Sequence, residues 1–479
     1  MDRGSEDTGL ADASAWLGGR ADRTIETHIG QVFLIGDQAF KLKKAVHFGY
    51  LDFSTRDARA WAMQRELELN RRTAPDVYRG VSWITREPGG ELRLDGAGAK
   101  LEAVLRMRRF DPDAVLSNQP QAVAGAFAET LGRQIAEFHA SAEVASGGAA
   151  ALGYVIQSNA DHLLSLTDLL GAAPVQALIA QTQAQFQRLS SLLDARGGSG
   201  QIRACHGDLH LGNILAEDGA AVLFDCIEFN DRLSRVDVLY DLAFLLMDLA
   251  HRGQAEGANR VLNGYLDTAA RAGGEAPFTG LAALPLFMSV RATVRTHVCA
   301  HMDQPVAARA YLDAALAHLQ SGPASLTAVG GLSGSGKSTV ARRLAPGLGS
   351  APGAVVLRSD EIRKRLWGCA PLERLPPQAY AAGTSEQVYA RMLDEGRLVL
   401  AAGRAVVLDA VFLRPEERTA AELLAREAGV SFDGLWLDAD PAVMAERIEQ
   451  RTDDASDVDI RVLEEQLTRD PGPISWRRG

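Results

Sequence analysis

Residues 331–338 constrain the fold of this chain more than any other stretch. They read GLSGSGKS, which fits the pattern G-x-x-x-x-G-K-[ST]. Residues 325–329 (SLTAV) have the apolar character of a buried strand, and residues 339–344 (TVARRL) are typical of an opening helix. Glycines let the backbone approach a ligand, and a helix N-terminus attracts anions. The sequence therefore favours a phosphate-binding loop over the alternative of a Gly/Ser-rich linker.

The same loop predicts how a nucleoside triphosphate and its metal are held. Lys337 is expected to reach the β- and γ-phosphates, and the hydroxyl of Ser338 is expected to take a Mg²⁺ position. The remaining contacts are predicted from the other loop residues, which are Gly331, Ser333, Gly334, Ser335, Gly336 and Thr339. We therefore expect ATP and Mg²⁺ as cofactors.

Length and composition narrow the class of protein. A chain of 479 residues is too long for one hydrophobic core, so two or three domains are expected. A net charge of −11 disfavours binding to nucleic acid or anionic lipid. The four cysteines show no CxxC spacing, and the N-terminus lacks the apolar core of a signal peptide. The most apolar helix, residues 236–250, is interrupted by three aspartates. We expect a cytoplasmic protein with no nucleic-acid or membrane partner, and the oligomeric state stays open.

The first part of the chain predicts a small antiparallel sheet with one helix. Residues 1–20 are polar and are expected to be flexible, and residues 21–110 form the first lobe. A Gly-Asp turn at residues 36 and 37 joins two apolar runs into a hairpin, and alternation places Lys41 and Lys43 on one face of its second strand. The predicted strands cover residues 27–35, 38–44, 77–85, 91–94 and 100–107, and the helix covers residues 54–72.

The next part, residues 111–320, is predicted to be a helical lobe that contains a second informative stretch. Residues 205–215 read CHGDLHLGNIL, and Asp225 follows in a later apolar run. Asp208 and Asn213 are five residues apart, the spacing of a kinase catalytic loop. An acid can accept a hydroxyl proton, and an amide with a second acid can hold Mg²⁺.

The run HGDLHLGNIL followed by FDCIEF resembles the aminoglycoside phosphotransferase family, a branch of the protein-kinase-like fold. The resemblance covers roughly residues 20–320. It implies that Asp208 is the catalytic base, with Asn213 and Asp225 as Mg²⁺ ligands. It also implies a strand lysine, Lys41 or alternatively Lys43, and a helix partner for it, Glu66. Residues 106–110 (RMRRF) correspond to the hinge that meets adenine, whereas residues 28–36 (HIGQVFLIG) depart from a glycine-rich phosphate loop.

Two side-chain patterns in this half allow alternative interpretations. His206 and His210 are four residues apart and could form a metal site with Cys205 or Cys226, although positioning of the loop explains them as well. Residues 237 and 241, both aspartates, share a helix face. They could bind a cationic substrate, or they could be ordinary carboxylates on a helix surface.

A short linker, residues 320–324 (QSGPA), leads to the last predicted domain, residues 321–479. Strands and helices then alternate, which predicts a parallel sheet covered on both faces. This half resembles the small-molecule P-loop kinases, a group that includes gluconate kinase, zeta toxins and polynucleotide kinase, over about residues 325–470.

The second resemblance also implies site residues. Asp360 would accept the proton of the acceptor hydroxyl, and Arg363 would bind substrate or phosphate. Asp409 would be a Walker-B-like carboxylate. Arg447 and Arg451 would form a lid over the transferred phosphate, or alternatively a solvated helix face. Relatives usually add a further strand after residues 475–479, so the sheet edge and adenine pocket are expected to be incomplete or completed from the other domain.

Together these patterns predict an α+β protein-kinase-like bilobal domain followed by an α/β P-loop NTPase domain with a parallel sheet. The order of the halves resembles a bacterial family of fused kinases. The expected function is a bifunctional Mg-ATP-dependent kinase acting on small-molecule hydroxyls, with aminoglycosides as one substrate class for the first half. The alternatives are a regulatory ATPase, in which one half gates the other, and a scaffold with a degenerate kinase fold.

Overall fold

A computed structural model describes residues 3–48, 51–320, 322–450 and 455–479. The chain divides into two compact units. The first contains residues 1–120 and 203–236, and the second contains residues 121–202 and 237–479. The stretch around the catalytic motif therefore belongs to the same unit as the N-terminal sheet, although it follows several helices in the sequence.

In the N-terminal part, residues 21–110, the bounds of most elements agree with the predicted ones to within a few residues. The strands are β1 (Arg23–Glu26), β2 (Gly30–Ile35), β3 (Gln38–Lys43), β4 (His47–Phe48), β5 (Leu51–Asp52), β6 (Tyr78–Arg86), β7 (Leu92–Leu94), β8 (Ala99–Arg108), β9 (Ile202–Ala204), β10 (Ile214–Glu217), β11 (Ala220–Leu223), β12 (Arg235–Asp237), β13 (Ser325–Gly331), β14 (Val355–Arg358), β15 (Val406–Asp409), β16 (Ser431–Leu437) and β17 (Arg477–Arg478). The α-helices are α1 (Arg3–Gly18), α2 (Arg56–Asn70), α3 (Gly125–Ser141), α4 (Ala149–Ser165), α5 (Thr167–Leu170), α6 (Ala172–Gly198), α7 (Asp231–Ser234), α8 (Val238–His251), α9 (Ala255–Ala269), α10 (Ala276–Thr279), α11 (Leu284–His301), α12 (Pro305–His318), α13 (Lys337–Leu344), α14 (Ser359–Leu366), α15 (Ala382–Ala401), α16 (Pro415–Glu427), α17 (Pro441–Glu449) and α18 (Ile460–Leu467).

In the first unit, an antiparallel sheet has the order β1-β2-β3-β8-β6-β7 among the described residues. The β2–β3 hairpin turns at Gly36, whose φ of 58° favours glycine. Helix α2 begins after Thr55, whose side chain accepts a hydrogen bond from the amide of Ala58. The inner face of α2 packs Met63 and Leu67 into a core shared with the sheet. The predicted antiparallel sheet and the predicted helix over residues 54–72 are confirmed.

The N-terminal segment differs from its prediction. A flexible tail is predicted over residues 1–20, whereas the structure has helix α1 at Arg3–Gly18. Ala13 and Leu17 are buried and pack against Phe33 and Phe40 of the sheet. They are four residues apart, so one helix face carries both, and burying that face stabilises a segment whose overall composition is polar.

In the second unit, the strands of the C-terminal part form a parallel sheet with the order β14-β15-β13-β16-β17 among the described residues. Its interior is built from Val329, Val407 and Leu435, together with Ala341 of α13. The phosphate-loop motif follows β13, the central strand. The predicted α/β domain with a parallel sheet is confirmed.

The expectation of an incomplete sheet edge is not met, because the last residues supply a strand themselves. Strand β17 pairs in parallel with β16, and the amide of Gly479 donates to the carbonyl of Trp436 over 2.9 Å. The indole of Trp476 is 5% exposed and lies against Gly434, where a Cβ would come within 2.4 Å of the ring. Glycine at position 434 therefore makes room for the tryptophan that anchors this edge.

The opposite edge of the same sheet is covered by helix α9 of the second unit. The side-chain oxygen of Asn263 accepts from the amide of Val356 in β14 over 2.7 Å. The amide group of Asn259 donates to the carbonyls of Pro352 and Ala354 over 3.0 and 2.9 Å. These contacts satisfy backbone groups that an edge strand would otherwise expose.

Ion pairs extend this contact to the helices that follow the phosphate loop. Glu129 of α3 contacts Arg342 of α13 at 2.9 Å. Asp267 of α9 contacts Arg365 of α14 at 3.3 Å. The helical part of the second unit therefore packs directly on the P-loop part.

One apolar helical stretch, Ala276–His301, is long enough to cross a membrane by length and composition alone. Within the described residues, 72% of its apolar window is buried inside the protein. Most of this stretch therefore lies in the interior of the protein.

Candidate active sites

In the first unit, Lys41 joins the sheet, helix α2 and the strand end near Asp225. Its Nζ lies 2.6 Å from Oε1 of Glu66 and 2.9 Å from Oδ1 of Asp225. Lys41 is 11% exposed by its side chain, and Glu66 is fully buried. Burial opposes the charge on Lys41, but the carboxylates of Asp225 and Glu66 hold the pKa of Lys41 well above its ordinary value. Lys41 is therefore a fixed positive charge beside Asp225.

Lys43 lies on the same face of β3 and makes a second set of contacts. Its Nζ is 2.6 Å from Oε2 of Glu66 and also donates to Glu228. Burial disfavours the charge of Glu66, yet Lys41 and Lys43 together lower its pKa. Burial and the neighbouring Glu66 raise the pKa of Glu228.

Sequence reasoning named both lysines as alternatives for one role and did not name Glu228. The signal was present, because Glu228 follows Asp225 by three residues in the run FDCIEF. Its partner could not be known from the sequence, since Lys43 and Glu228 are 185 residues apart.

Asp208 and Asn213 are brought together by the loop that connects β9 and β10. The amide group of Asn213 donates to the backbone oxygen and to Oδ2 of Asp208, both over 2.9 Å. Asn213 is buried, whereas the side chain of Asp208 is 37% exposed. The arrangement leaves a carboxylate that solvent reaches, held in place by a buried amide.

His206 and His210 hold this loop rather than forming a metal cluster. His206 is buried and its Nε2 lies 2.9 Å from the carbonyl of Phe224. His210 accepts from the amide of Gly212 over 2.9 Å. Within the described part of the chain, no group of three close ligand atoms includes either histidine. The positioning interpretation of these histidines agrees with the geometry, and the metal interpretation does not.

Asp225 itself has an unusual backbone. Its φ of 61° is uncommon for a residue with a side chain, and its amide donates to the hydroxyl of Tyr78 over 3.1 Å. Backbone strain of this kind occurs often at functional positions, where neighbouring contacts enforce it. The contact with Lys41 holds the Asp225 carboxylate, and the contact with Tyr78 holds the Asp225 backbone amide.

The structure also describes the segments of this unit that correspond to the predicted hinge and phosphate loop. Residues 106–110 include the end of β8, where Arg108 pairs with Glu217 at 2.6 Å, and Phe110 packs on Phe224 with ring centroids 5.2 Å apart. A three-residue turn, residues 27–29, joins β1 and β2 without a glycine. The departure from a glycine-rich loop is therefore present in the structure as well.

Residues 237 and 241 are internal, so neither interpretation of them holds. Arg196 donates to Asp237 over 2.6 and 2.8 Å, and Asp237 also caps helix α8. Asp241 is fully buried, and its Oδ2 lies 3.1 Å from Nε2 of His139. Buried and paired carboxylates of this kind neither face a cationic substrate nor form a solvated surface.

In the second unit, the phosphate loop opens helix α13 as the motif predicts. Gly334 and Gly336 have φ of 80° and 94°, which favours glycine at both positions. Helix α13 starts at Lys337 without a side-chain cap, so its first amides point toward the loop. The Nζ of Lys337 donates to the carbonyl of Leu332 over 2.9 Å. The hydroxyl of Ser335 is buried and has no hydrogen-bond partner among the described residues.

A cavity of about 460 Å³ adjoins this loop. Most of the predicted site residues of this half line it, namely Ser333, Gly334, Gly336, Lys337, Ser338, Thr339, Asp360, Arg363 and Asp409. Gly331 ends β13 immediately before the loop, with a φ of 135°. The loop, the start of α14 and the end of β15 are therefore brought to one cavity.

Two of the predicted arginines, Arg363 and Arg447, take up different positions near the phosphate loop and its cavity. Arg363 is buried, donates to the carbonyl of Ala379 over 2.7 Å and lies 5.0 Å from the ring centre of Tyr380. Arg447 donates to the carbonyl of Gly334 over 3.3 Å, so it contacts the phosphate loop rather than solvent alone. Arg451 lies outside the described residues.

Sequence reasoning missed two residues that contact the predicted loop. Arg358, at the end of β14, donates to Ser338 over 3.2 Å and to Asp409 over 3.3 Å. Gln466 of α18 accepts from the amide of Ser333 over 2.9 Å. Arg358 immediately precedes the run that contains Asp360, so its position after the second strand was the available signal.

The residues of both sites fit Mg²⁺ and a nucleoside triphosphate. Ser338 and Asp409 present oxygens beside an uncapped helix N-terminus. The first unit presents oxygens of Asn213, which contacts Asp208, and of Asp225, which lies beside Lys41. Oxygen ligands suit Mg²⁺, and helix amides with lysine suit phosphate.

Comparison with protein families gives two matches, one in each of the halves predicted from the sequence. The profile of a family described as "Phosphotransferase enzyme family" matches residues 50–276. The profile of a family described as "AAA domain" matches residues 326–471. The first match contains Asp208, Asn213 and Asp225, and the second contains the phosphate loop and Asp360.

Solved structures that resemble parts of the chain include several kinases. A glucosamine kinase matches with 17% identity and a TM-score of 0.38, over 62% of this chain and 76% of that one. The GDP complex of an aminoglycoside 2'-phosphotransferase matches with 14% identity and a TM-score of 0.38, over 62% and 90% of the two chains. The APS kinase CysC of Mycobacterium tuberculosis matches with 25% identity and a TM-score of 0.21, over 27% and 70%.

Relatives similar over nearly the whole length come from mycobacteria. Rv2004c of Mycobacterium tuberculosis and Mb2027c of Mycobacterium bovis, both described as uncharacterized proteins, are each 32% identical to this chain over 456 residues. The matches cover 91% of this chain and 88% of each relative. The chain belongs to the family of these mycobacterial proteins and is an ATP-dependent phosphotransferase that joins a kinase-like segment to a P-loop kinase-like segment.

Proposed function

We propose that the protein is a bifunctional Mg-ATP-dependent kinase that phosphorylates small-molecule hydroxyl groups at two separate sites. The observation that carries this proposal is that each unit holds its own set of an acid, a cation and oxygen ligands. In the first unit, Lys41 bridges Glu66 and Asp225 while Asn213 holds Asp208. In the second unit, Lys337, Ser338, Asp360 and Asp409 line one cavity.

At the first site, Asp208 is proposed as the general base. It accepts the proton of the acceptor hydroxyl, whose oxygen bonds to the γ-phosphorus while the bond to the β–γ bridging oxygen breaks and ADP leaves. Asn213 and Asp225 would hold Mg²⁺, which neutralises charge that develops on the phosphate oxygens when it is bound. Lys41 orients the phosphates, and Glu66 orients Lys41 through the 2.6 Å ion pair. Catalysis is then mainly positioning and charge neutralisation.

At the second site, the same transfer would use Asp360 as the base. Asp360 is in the first turn of α14 at the end of β14, where ligands of parallel sheets bind. Ser338 and Asp409 would hold Mg²⁺, and Lys337 with the amides of α13 would hold the phosphates. Arg447 lies against the loop at Gly334 and would add positive charge there.

A labelled-ATP screen of a metabolite extract tests the proposal. The full chain is compared with Asp208→Asn, Asp360→Asn and Lys337→Ala. Asp208→Asn is expected to remove one set of phosphorylated products, and Asp360→Asn to slow the other set by about 10²–10⁴. Lys337→Ala is expected to weaken nucleotide binding by roughly 1.5–3 kcal/mol. Labelled inorganic phosphate as the only product in every sample would count against a kinase.

A regulatory ATPase is a second candidate, and the contacts around α13 favour it. Glu129 contacts Arg342 of α13 at 2.9 Å, and Asp267 contacts Arg365 of α14 at 3.3 Å. Helices of the kinase-like half thus contact α13 and α14, two of the helices that line the P-loop cavity. If Asp208→Asn and Lys337→Ala each abolish all activity while the protein stays folded, one half gates the other and the regulatory function replaces the bifunctional one.

A further inference from the structure

Arg358 occupies a position in the second site to which sequence reasoning assigns no role. It is the last residue of β14 and is 4% exposed. Its guanidinium donates to Oδ2 of Asp409 over 3.3 Å, to Oγ of Ser338 over 3.2 Å and to Glu361 over 3.1 Å. A planar guanidinium can reach three acceptors at once because its donors point in several fixed directions.

Two of those acceptors are the oxygens that the proposed function gives to Mg²⁺. Asp409 is also 4% exposed, and a carboxylate buried to that degree needs a nearby positive charge. Arg358 supplies that charge, since an arginine stays protonated at any physiological pH. Glu361 in the first turn of α14 keeps the guanidinium in place from the other side.

We propose that Arg358 is a positioning residue that neutralises Asp409 when no metal is bound and competes with Mg²⁺ for the oxygens of Ser338 and Asp409. The inference rests on the proposed nucleotide-binding function of the P-loop. It goes beyond that function because it states that the Arg358 side chain determines how strongly nucleotide binding depends on the metal.

Competition of this kind has two consequences of opposite sign. Without Arg358, Asp409 repels the negative triphosphate, so metal-free nucleotide binds more weakly. The divalent cation then meets no resident positive charge, so it binds more tightly to the protein–nucleotide complex. A loss of folding or packing at the site would instead weaken both steps.

The test uses the full chain, with adenylyl imidodiphosphate, a non-hydrolysable ATP analogue, as the probe. Calorimetry with EDTA gives the metal-free affinity, and Mn²⁺ titration followed by electron paramagnetic resonance gives the metal affinity of the complex. Because the chain has two proposed nucleotide sites, the binding that is lost in Lys337→Ala is assigned to the P-loop and is called the P-loop component. For Arg358→Met, the metal-free affinity of this component is expected to fall about tenfold and the Mn²⁺ affinity to rise about tenfold, the order expected for removing one charge beside the site.

Two further variants separate this role from a structural one. Arg358→Lys keeps the charge and is expected to restore most of the metal-free affinity. Arg365→Met removes a buried arginine of α14 that pairs with Asp267 and Glu395 and does not touch the two metal oxygens. It is expected to leave the ratio of metal-free to Mn²⁺-bound affinity within about twofold of the unmodified protein, because it changes no charge beside those oxygens.

The outcomes distinguish failure of the inference from failure of the proposed function. If Lys337→Ala removes no nucleotide binding, the P-loop does not hold ATP and the proposed second site is wrong. If that component exists but Arg358→Met and Arg365→Met change both affinities in the same direction, Arg358 is structural and the competition is disproved.

Discussion

Glu66 is one buried carboxylate that serves two lysines of the same strand. Lys41 meets Oε1 and Lys43 meets Oε2, each at 2.6 Å, because residues two apart on a strand point to one face. Their second partners differ: Lys41 also contacts Asp225, and Lys43 contacts Glu228. The pair divides into a lysine that faces the proposed site and a lysine that holds the surrounding structure.

Replacement of each lysine is expected to reveal that division. The side chain of Lys43 is fully buried, so Lys43→Met leaves Glu228 buried without its partner and is expected to lower the free energy of unfolding by about 3–5 kcal/mol. Lys41→Met is expected to cost less stability, because Asp225 is 44% exposed, and to weaken nucleotide binding instead. Urea unfolding and calorimetric titration measure the two effects. Equal losses of stability in both variants would contradict the division.

A second prediction at this scale concerns acid stability. Burial, reinforced by His162, His301 and Arg295, lowers the pKa of His297 from 6.5 to about 3. The unfolded chain then binds a proton that the folded chain resists, so stability is lost as the pH falls below 6.5. His297→Asn is expected to remove a loss of up to about 2 kcal/mol between pH 7 and pH 5. Urea midpoints at the two pH values measure it, and an unchanged pH dependence in the variant would show that other groups cause the loss.

Helix α9 contacts the edge of the P-loop sheet, and its own sequence does not predict this contact. Asn259 and Asn263 are four residues apart, so the sequence places them on one polar face of a helix. In the structure, that face binds the open edge of β14 through side-chain amides. The partner backbone lies more than ninety residues away, and no local pattern encodes such a distance.

Removal of one amide tests the value of this edge contact. Asn263→Ala leaves the amide of Val356 without its 2.7 Å acceptor, and it is expected to cost about 1–3 kcal/mol of unfolding free energy. Gln157→Ala is the control, because its amide contacts Asp161 on an exposed face of α4 and is expected to change stability by less than about 0.5 kcal/mol. Similar midpoints for the two variants in urea would mean that water replaces Asn263 at the edge.

The elements that could be predicted from the sequence are those with a strong local pattern. Residues 331–338 are predicted as a loop between a buried strand and a helix because glycine, lysine and serine positions define it, and β13 and α13 flank it. Helix α1 and strand β17 were missed for a common reason. Each is short of apolar residues and is stabilised by what it packs against, Phe33 for α1 and β16 for β17.

At the scale of the whole molecule, the candidate sites were easier to predict than their surroundings. Acid, amide and lysine positions within each set are fixed by chemistry, so Asp208, Asn213 and Lys337 could be named from spacing and motif. The roles of Arg358 and Glu228 could not be predicted in this way, because neither residue belongs to a motif. Each contacts another candidate residue, Asp409 for Arg358 and Lys43 for Glu228. Division of the chain into units was also beyond sequence reasoning, since residues 203–236 leave the helical region and belong to the same unit as the N-terminal sheet.

The isolated P-loop part, residues 322–479, is expected to be less stable than the same part within the full chain. Separation removes Asn263 from β14, Glu129 from Arg342 and Asp267 from Arg365. Each lost polar contact is expected to cost about 1 kcal/mol, so a loss of roughly 3 kcal/mol follows. Hydrogen exchange of β14 amides in the fragment and in the full chain measures it. Equal protection of Val356 in both would show that the sheet edge does not depend on α9.

The cover of β14 by α9 also bears on how such a chain can change over generations. Side-chain amides of α9 form hydrogen bonds with backbone groups at the edge of β14. If recombination replaces either segment, these backbone groups lose their partners unless the new segment also supplies hydrogen-bonding side chains. Selection on positions 259 and 263 therefore depends on their contacts with residues 352–356 as well as on the stability of α9. Among descendants of one ancestral fusion, we expect positions 259 and 263 and residues 352–356 to change together. Exposed residues of the same helix are expected to change independently of them.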